Sequence, residues 1–370
     1  MTGPLVGGHA DGAADEITAR IGEVVRAGMG SRVAVQRAVP LAGDASTRRY
    51  VRAWLAGPGA PATAVVMILA DRGIAMSSDE LAVFSEAPAE LPYVNVHRFL
   101  TRIGVAVPDI YVDASDRGLL IIEDVGDLPL WDAVHGRSDA DVPALFERAI
   151  EQLLRIQVDG TASADTTCIA FQQAFDRRLF EWEFEHFLEH GLINRVAHPI
   201  PAAEIDELRA HFGRLAGFLD AQPRVVNHRD FHAWNLHVQD GRIRVIDFQD
   251  ALLAPAPYDL ATLLGDRDTR AVIHSALEQR LLDAYAAGWA ARGGEPWSRE
   301  RLWDVYTACA LQKAFKVVGR FHFLADVKGK PGYLRYLPPT WQQIDRLLDM
   351  RPEWAPVRRI LAQYAPELRP

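Results

Sequence analysis

Residues Asn235 to Asp247 read Asn-Leu-His-Val-Gln-Asp-Gly-Arg-Ile-Arg-Val-Ile-Asp. Apolar and polar residues alternate on both sides of Asp240-Gly241, a dipeptide that favours a two-residue turn between antiparallel strands. A hairpin is therefore predicted inside a region otherwise patterned as helices, and few folds combine the two. Helical periodicity predicts segments over 141–157, 168–189, 202–219, 271–289 and 299–324 around it. Ahead of Gly126 the pattern changes. A helix over 17–27 precedes strands at 33–39, 48–55 and 64–69; helices are expected at 79–86 and 93–103, then a strand pair at 109–113 and 119–123 turned at Ser115 to Gly118. The expected class is α+β and two-lobed: a flexible leader over 1–16, a small antiparallel β N-lobe over 17–125, and a mainly helical C-lobe over 126–370.

The residues flanking the hairpin carry chemistry. His228-Arg-Asp-Phe-His-Ala-Trp-Asn235 holds the four fixed positions of the kinase catalytic loop H-R-D-x-x-x-x-N, and Asp247-Phe248 follows where the metal-binding Asp-Phe-Gly belongs. Specified residues at this spacing arise by chance in roughly one sequence in ten thousand, so a protein-kinase-like fold is expected. Asp230 would accept or orient the proton of an attacking hydroxyl, with His228 and Arg229 supporting the loop. The hairpin returns Asn235 and Asp247 to one edge, where both would reach Mg²⁺. Gln249 replaces the usual Gly, which argues against a protein-kinase activation-loop switch.

ATP phosphates need a cradle and a cation. Between the first two strands, Leu41-Ala-Gly-Asp-Ala-Ser-Thr-Arg-Arg-Tyr-Val-Arg52 is rich in small residues, and Gly43, Ala45 and Ser46 would let backbone N–H groups approach an anion. The strand at 63–69 contains no Lys; Met67 or Ile68 stands where a phosphate-pairing lysine is usual. The cation is therefore expected from Arg48, Arg49 or Arg52, of which Arg48 and Arg52 share one strand face. Leu120-Ile-Ile-Glu-Asp-Val-Gly126 reads as the linker between lobes, with backbone around Glu123 and Val125 offered to adenine.

Composition narrows the partners. Of 370 residues, 49% are hydrophobic and 24% charged, with a formal net charge of -9, which argues against nucleic acid or an anionic membrane as ligand. Cys168 and Cys309 alone suggest neither a disulfide framework nor a Cys-based zinc site. The N-terminus lacks the basic start and apolar stretch of a secretory signal, and no apolar run approaches the ~20 residues that span a bilayer. A cytoplasmic, monomeric protein is expected.

With these parts in place the chain resembles the aminoglycoside-phosphotransferase-like kinases, and within them the anomeric N-acetylmuramate/N-acetylglucosamine kinases of cell-wall recycling. The resemblance spans roughly Leu41 to Arg351. It rests on Gly43 to Arg52, Val66-Met67, the catalytic loop, Val245-Ile-Asp-Phe-Gln-Asp-Ala251, Pro257-Tyr-Asp-Leu260, Phe315-Lys-Val-Val-Gly319 and Gly329-Lys-Pro-Gly-Tyr-Leu334. That family also has Met where the strand lysine would be; it often continues Asp-Ala-Pro-Pro, where this chain has Ile-Leu-Ala-Asp71. The resemblance implies Mg²⁺-dependent transfer of the ATP γ-phosphoryl group to the anomeric hydroxyl of an amino sugar, giving a sugar 1-phosphate. Two alternatives stay open: a kinase of another small acceptor (an aminoglycoside, a choline-like alcohol, a different sugar), and a silent nucleotide-binding protein, suggested by the missing lysine.

For the substrate, Glu181 and Glu185 lie four apart on one helix face and match acidic positions of that family, so they are expected to chelate sugar hydroxyls. Lys313, Lys316 and Arg320 form a stripe of like charge at +3 and +4 spacing, unfavourable unless an anion compensates. That anion is either a protein carboxylate or the lactyl carboxylate of N-acetylmuramate, with Lys316 and Arg320 as candidate ligands. His186-Phe-Leu-Glu-His190 matches an inverted zinc-protease helix, but a zinc hydrolase would also need a third protein ligand in context. Asp250 and Asp259 are expected as loop and helix-cap residues.

Overall fold

The structure, a computed structural model, describes residues 8–41, 49–69, 90–135, 141–266 and 269–368. The chain divides into two compact units, Met1–Leu91 with Val107–Gly126, and Pro92–Ala106 with Asp127–Pro370.

The first unit is a helix on a sheet. Helix α1 (Gly8–Met29) is followed by β1 (Ala34–Pro40), β2 (Arg49–Ala56) and β3 (Thr63–Ile68), and later by β4 (Ile110–Ala114) and β5 (Leu119–Glu123). All neighbours are antiparallel, in the order β1-β2-β3-β5-β4. Period-2 alternation puts Val51, Ala53 and Leu55 of β2 and Ala64, Val66 and Ile68 of β3 on one face, which Ile21, Val24 and Val25 of α1 cover. Met67 and Arg52 belong to the opposite face, since Arg52 pairs with Val65. Because α1 begins at Gly8, residues 8–16 of the expected leader are helical. The helix expected over 79–86 lies outside the described residues.

The second unit begins with α2 (Pro92–Arg102), α3 (Leu130–Val134) and α4 (Val142–Leu154), which runs on through a π-helical turn (Arg155–Asp159) into the single turn α5 (Gly160–Ala162). Next come α6 (Arg177–His186), continued by a π-helical Phe187–Leu192, and α7 (Ala202–Asp220). Two short sheets follow: β6 (Arg224–Asn227) pairs with β9 (Leu252–Pro255), and between them β7 (Leu236–Gln239) pairs with β8 (Arg242–Val245). The second pair is the hairpin read from the sequence, with φ of 50° at Asp240 and 74° at Gly241, as a turn with two left-handed residues requires. Helices α8 (Pro257–Gly265), α9 (Ser275–Ala291), α10 (Arg299–Asp326), α11 (Leu337–Asp349) and α12 (Ala355–Tyr364) complete the unit. No described helix is long and apolar enough to cross a membrane.

Two expectations are corrected here. Helix α2, assigned by its place in the sequence to the first lobe, packs in the second unit: the Tyr93 ring lies 4.7 Å from that of Phe248, and Asn95 Oδ1 accepts from the Ile169 amide at 2.9 Å. The helix expected from Cys168 starts only at Arg177, because Phe175 N–H donates to Leu253 O at 2.7 Å and Leu253 N–H to Gln173 O at 2.9 Å. Asp176 then caps the helix, accepting from Leu179 N–H at 2.9 Å.

The centre of the second unit is α10, buried on most of its length. Gly319 lets its backbone approach the π-helical turn after α6. A Cβ at that position would lie 2.7 Å from Phe187 Cα and 2.9 Å from its backbone nitrogen, and neither helix can yield without moving. Gly319→Ala is therefore expected to destabilise the fold by about 1–3 kcal/mol in urea unfolding, although alanine is the better helix former. A more stable variant would show that the two backbones do not meet.

Candidate active site

Strand β6 ends in Asn227, fully buried, and delivers His228-Arg229-Asp230 as a loop. Arg229 adopts φ of 81°, a region that costs a non-glycine residue about 1–3 kcal/mol and persists only where surroundings impose it. The carboxylate of Asp259, in the first turn of α8, imposes it from one side: it accepts from the amide of Arg229 at 3.0 Å and from that of His228. Asp259 is thus a loop anchor, fully buried. The amide of Asp259 in turn donates to Asn227 Oδ1 at 3.3 Å; Gln157, from the π-helical turn, donates to the same oxygen at 2.9 Å and accepts from Tyr285 Oη at 2.8 Å. His228 Nε2–H donates to Ile246 O at 2.8 Å, tying the loop to the residue before Asp247.

Asp230 is the candidate base. Its Oδ1 accepts from Lys313 Nζ at 2.8 Å, yet its side chain remains 41% exposed, so the carboxylate is open to a ligand. Desolvation, the largest influence, pushes its pKa up, but the charges of Lys313, Lys316, Arg229 and His232 together hold the carboxyl well below the usual range. Lys313 also donates to Arg229 O at 3.0 Å and stands 5.3 Å from the centre of the Tyr258 ring. One turn on, Lys316 pairs with Glu183 at 2.8 Å, and Gln312 donates to the other Glu183 oxygen. Protein carboxylates are therefore the anions that compensate Lys313 and Lys316.

Asn235 and Asp247 bracket the hairpin. Asn235 Nδ2 donates to Asp230 O at 2.9 Å, and Ile246 N–H donates to Asn235 O at 3.0 Å. Asp247 has φ of 61°, a second strained residue beside the first. Gln249 has a use that Gly would not: its amide nitrogen bridges Asp247 Oδ1 at 3.0 Å and Asp250 Oδ2 at 2.9 Å. An amide oxygen and a carboxylate are hard donors of the kind Mg²⁺ takes, with phosphates and water completing its shell, so Asn235 and Asp247 fit that ion.

Several expected residues stand elsewhere. Glu181 and Glu185 are about half-exposed on α6, paired with Arg177 at 2.7 Å and with Arg209 at 2.8 and 2.9 Å. Glu183, two residues on and hence on the inner face, is the carboxylate that joins the cluster. Arg320 lies 5.5 Å from the Phe323 ring centre. In the first unit, Arg52 is held by both oxygens of Asp124 at 2.7 and 2.9 Å, so its fork braces the end of β5. Arg49 is exposed at the start of β2. The Glu123 amide donates to Asp109 O at 2.8 Å and Val125 is buried, while Gly43, Ala45, Ser46 and Arg48 lie outside the described residues. His186 and His190 meet edge-to-face, 4.6 Å between ring centres, and both pack on Phe323.

A profile of the family described as Phosphotransferase enzyme family matches residues 37–303. The chain belongs to that family. It is an enzyme of the phosphotransferase kind, moving phosphate to a hydroxyl acceptor. Among curated relatives, the N-acetylmuramate/N-acetylglucosamine kinase of Pseudomonas aeruginosa is 27% identical over 88% of this chain and 87% of its own length. The protein of that name from Caulobacter vibrioides is 28% identical over 82% and 86%. Of solved structures, a choline/ethanolamine kinase family protein from Mesorhizobium loti matches with a TM-score of 0.58 at 15% identity, covering 96% of this chain and 98% of that one. ADP-bound aminoglycoside phosphotransferase APH(2'')-Ib gives 0.57 at 13% identity, covering 89% and 97%. These likenesses show the protein-kinase-like fold.

The candidate site also contains residues that sequence reasoning did not assign. Lys313 and Glu183 had a visible signal, the unpaired cation stripe, but nothing local to name its partners. For Gln157 and Tyr285 there was none.

Burial pushes the Asp259 carboxyl up to about 6, partly opposed by His228 and the amide it binds. A native pKa above the unfolded value of about 3.9 means that the folded state binds the proton more tightly between these values. Its stability contribution is then full below pH ~4 and is lost as pH rises through ~6. Relative to Asp259→Asn, wild-type protein should lose about 2–3 kcal/mol between pH 4 and 6.5 in urea unfolding. The variant should also lose at least ~10-fold in kcat at pH 7.5, since one amide oxygen replaces a carboxylate that serves two N–H donors. Parallel stability curves would remove Asp259 from this role.

Proposed function

We propose that the enzyme transfers the γ-phosphoryl group of ATP to the anomeric hydroxyl of N-acetylmuramate or N-acetylglucosamine, producing the sugar 1-phosphate. The observation that carries this reading is the Asp230 carboxylate, fixed by Lys313 through one oxygen and open to an acceptor hydroxyl. The relatives named for these two sugars supply the acceptor class.

In this reading the acceptor hydroxyl donates to Asp230 and attacks phosphorus in line, and its proton passes to the carboxylate late in the transfer. Asn235 and Asp247 would hold Mg²⁺, which neutralises phosphate charge when bound. A carboxylate held well below its usual pKa is a weak base. It suits a hydroxyl that gives up its proton readily, and the hemiacetal hydroxyl at C1 is the most acidic on the sugar ring. Arg320 remains the candidate for an anionic substituent on the sugar, such as a lactyl carboxylate.

Asp230→Asn should leave Mg·ATP binding nearly intact and lower kcat by at least ~10², measured by coupled ADP release with each sugar; equal turnover would remove Asp230 from the chemistry. Asp247→Ala should abolish metal-dependent nucleotide binding in calorimetry. Phosphorus-coupled NMR of the product should place the ester at C1, and a 1-deoxy sugar should bind without reacting. Phosphate at C3 or C6 would sink the anomeric assignment and leave the kinase standing.

A further inference from the structure

Phosphoryl transfer depends on positive charge placed against the oxygens of the group in flight, and this chain lacks the usual source. β3, Thr-Ala-Val-Val-Met-Ile, contains no cation, and Arg52 on the neighbouring strand is bound to Asp124 through both carboxylate oxygens. In the second unit, an ammonium group contacts the carboxylate of Asp230. Lys313 projects from α10, its side chain 11% exposed, and contacts Asp230 Oδ1 at 2.8 Å and Arg229 O at 3.0 Å.

We propose that Lys313 is a catalytic residue, donating from its ammonium group to a non-bridging oxygen of the phosphoryl group as it passes to the acceptor. The proposal rests on the kinase reading above. A lysine has three N–H donors; Lys313 gives two to Asp230 and Arg229, and among the described residues no acceptor takes the third. The acceptor hydroxyl binds the open part of the same carboxylate, which puts its oxygen roughly 5 Å from Nζ, given two hydrogen bonds of ordinary length. In-line attack brings phosphorus to about 3 Å from that oxygen, and one of its oxygens then falls within reach of the third donor. Arg229 O, Asp230 Oδ1 and the Tyr258 ring fix the ammonium before any ligand arrives, so no reorganisation is needed when charge develops.

In the step itself the hydroxyl oxygen forms a bond to the γ-phosphorus, and the bond from that phosphorus to the bridging oxygen breaks. ADP leaves with the electron pair. The hydroxyl proton goes to Asp230, and Lys313 keeps all of its protons throughout.

A purely structural lysine, pinning Arg229 at positive φ, makes different demands, and the two roles separate by experiment. Full-length wild type, Lys313→Met, Lys313→Arg and Lys313→Ala are compared for kcat, both KM values, Mg·ATP affinity and Tm, with N-acetylglucosamine as acceptor. Lys313→Met is expected to lose ~10²-fold or more in kcat, the scale of one transition-state donor, with KM values and Mg·ATP affinity within ~5-fold of wild type. Added methylammonium is expected to restore part of the kcat of Lys313→Ala in a saturable manner, and Lys313→Arg to keep more activity than Met. Three results would overturn the proposal: kcat of Lys313→Met within ~3-fold of wild type; a loss in Mg·ATP affinity and Tm that accounts for the whole defect; or no rescue of a folded Lys313→Ala. Should Lys313→Met fail to fold, the rescue of Lys313→Ala decides alone. Wild-type protein that turns over no sugar would overturn the kinase reading itself, and the proposal with it.

Discussion

Arg229 cannot hold φ of 81° unaided, and the two contacts that hold it there organise the second unit. From one side the buried carboxylate of Asp259 takes the amides of His228 and Arg229. From the other, the ammonium of Lys313 takes the carbonyl of Arg229 and an oxygen of Asp230. The peptide that turns Asp230 outward is thus gripped at both ends by ionisable groups from α8 and α10. Asp259 is fully buried and Lys313 nearly so, which keeps their geometry with little competition from solvent.

Burying those groups sets the design of the helices around them. α10 places Gln312, Lys313 and Lys316 in the interior, where each charge needs a partner at hydrogen-bond distance to offset its desolvation. Asp230 partners Lys313, and Glu183 takes both Lys316 and Gln312. Removing either member of the buried Lys316–Glu183 pair would leave the other uncompensated, a penalty of about 3–5 kcal/mol. The polar chain from Asp259 through Asn227 to Gln157 and Tyr285 extends the same principle, with α4 departing into a π-helical turn where Gln157 enters it. Charge at Asp230, rigidity of the loop and packing of the helices are therefore one problem with one solution.

How far the sequence disclosed this depended on how local each feature is. The hairpin, the catalytic loop and the sheet of the first unit follow from period-2 patterning and fixed spacing, both decided within a few residues. Glu181 and Glu185 show the limit. Their spacing of four proves a shared face, but an acidic face reads alike whether it meets a sugar or solvent, and here Arg177 and Arg209 answer it. The glutamate that points inward, Glu183, falls outside that spacing and carries no local signal of its own. Helix α2 was misallocated for a similar reason: amphipathic periodicity announces a buried stripe but not the surface that buries it, which is Phe248 and the 167–169 turn.

By itself, the sequence brought His228, Arg229, Asp230, Asn235 and Asp247 together as one candidate site, because these residues are joined by a short hairpin whose turn chemistry leaves a single register. It also established that a cation stripe on α10 demanded an anion. Only the tertiary structure decided which anions: Asp230 lies 83 residues from Lys313, and Glu183 comes from another helix again. Pairings over such separations are set by how helices pack around a common core, and a one-dimensional pattern carries the need for a partner but not its address.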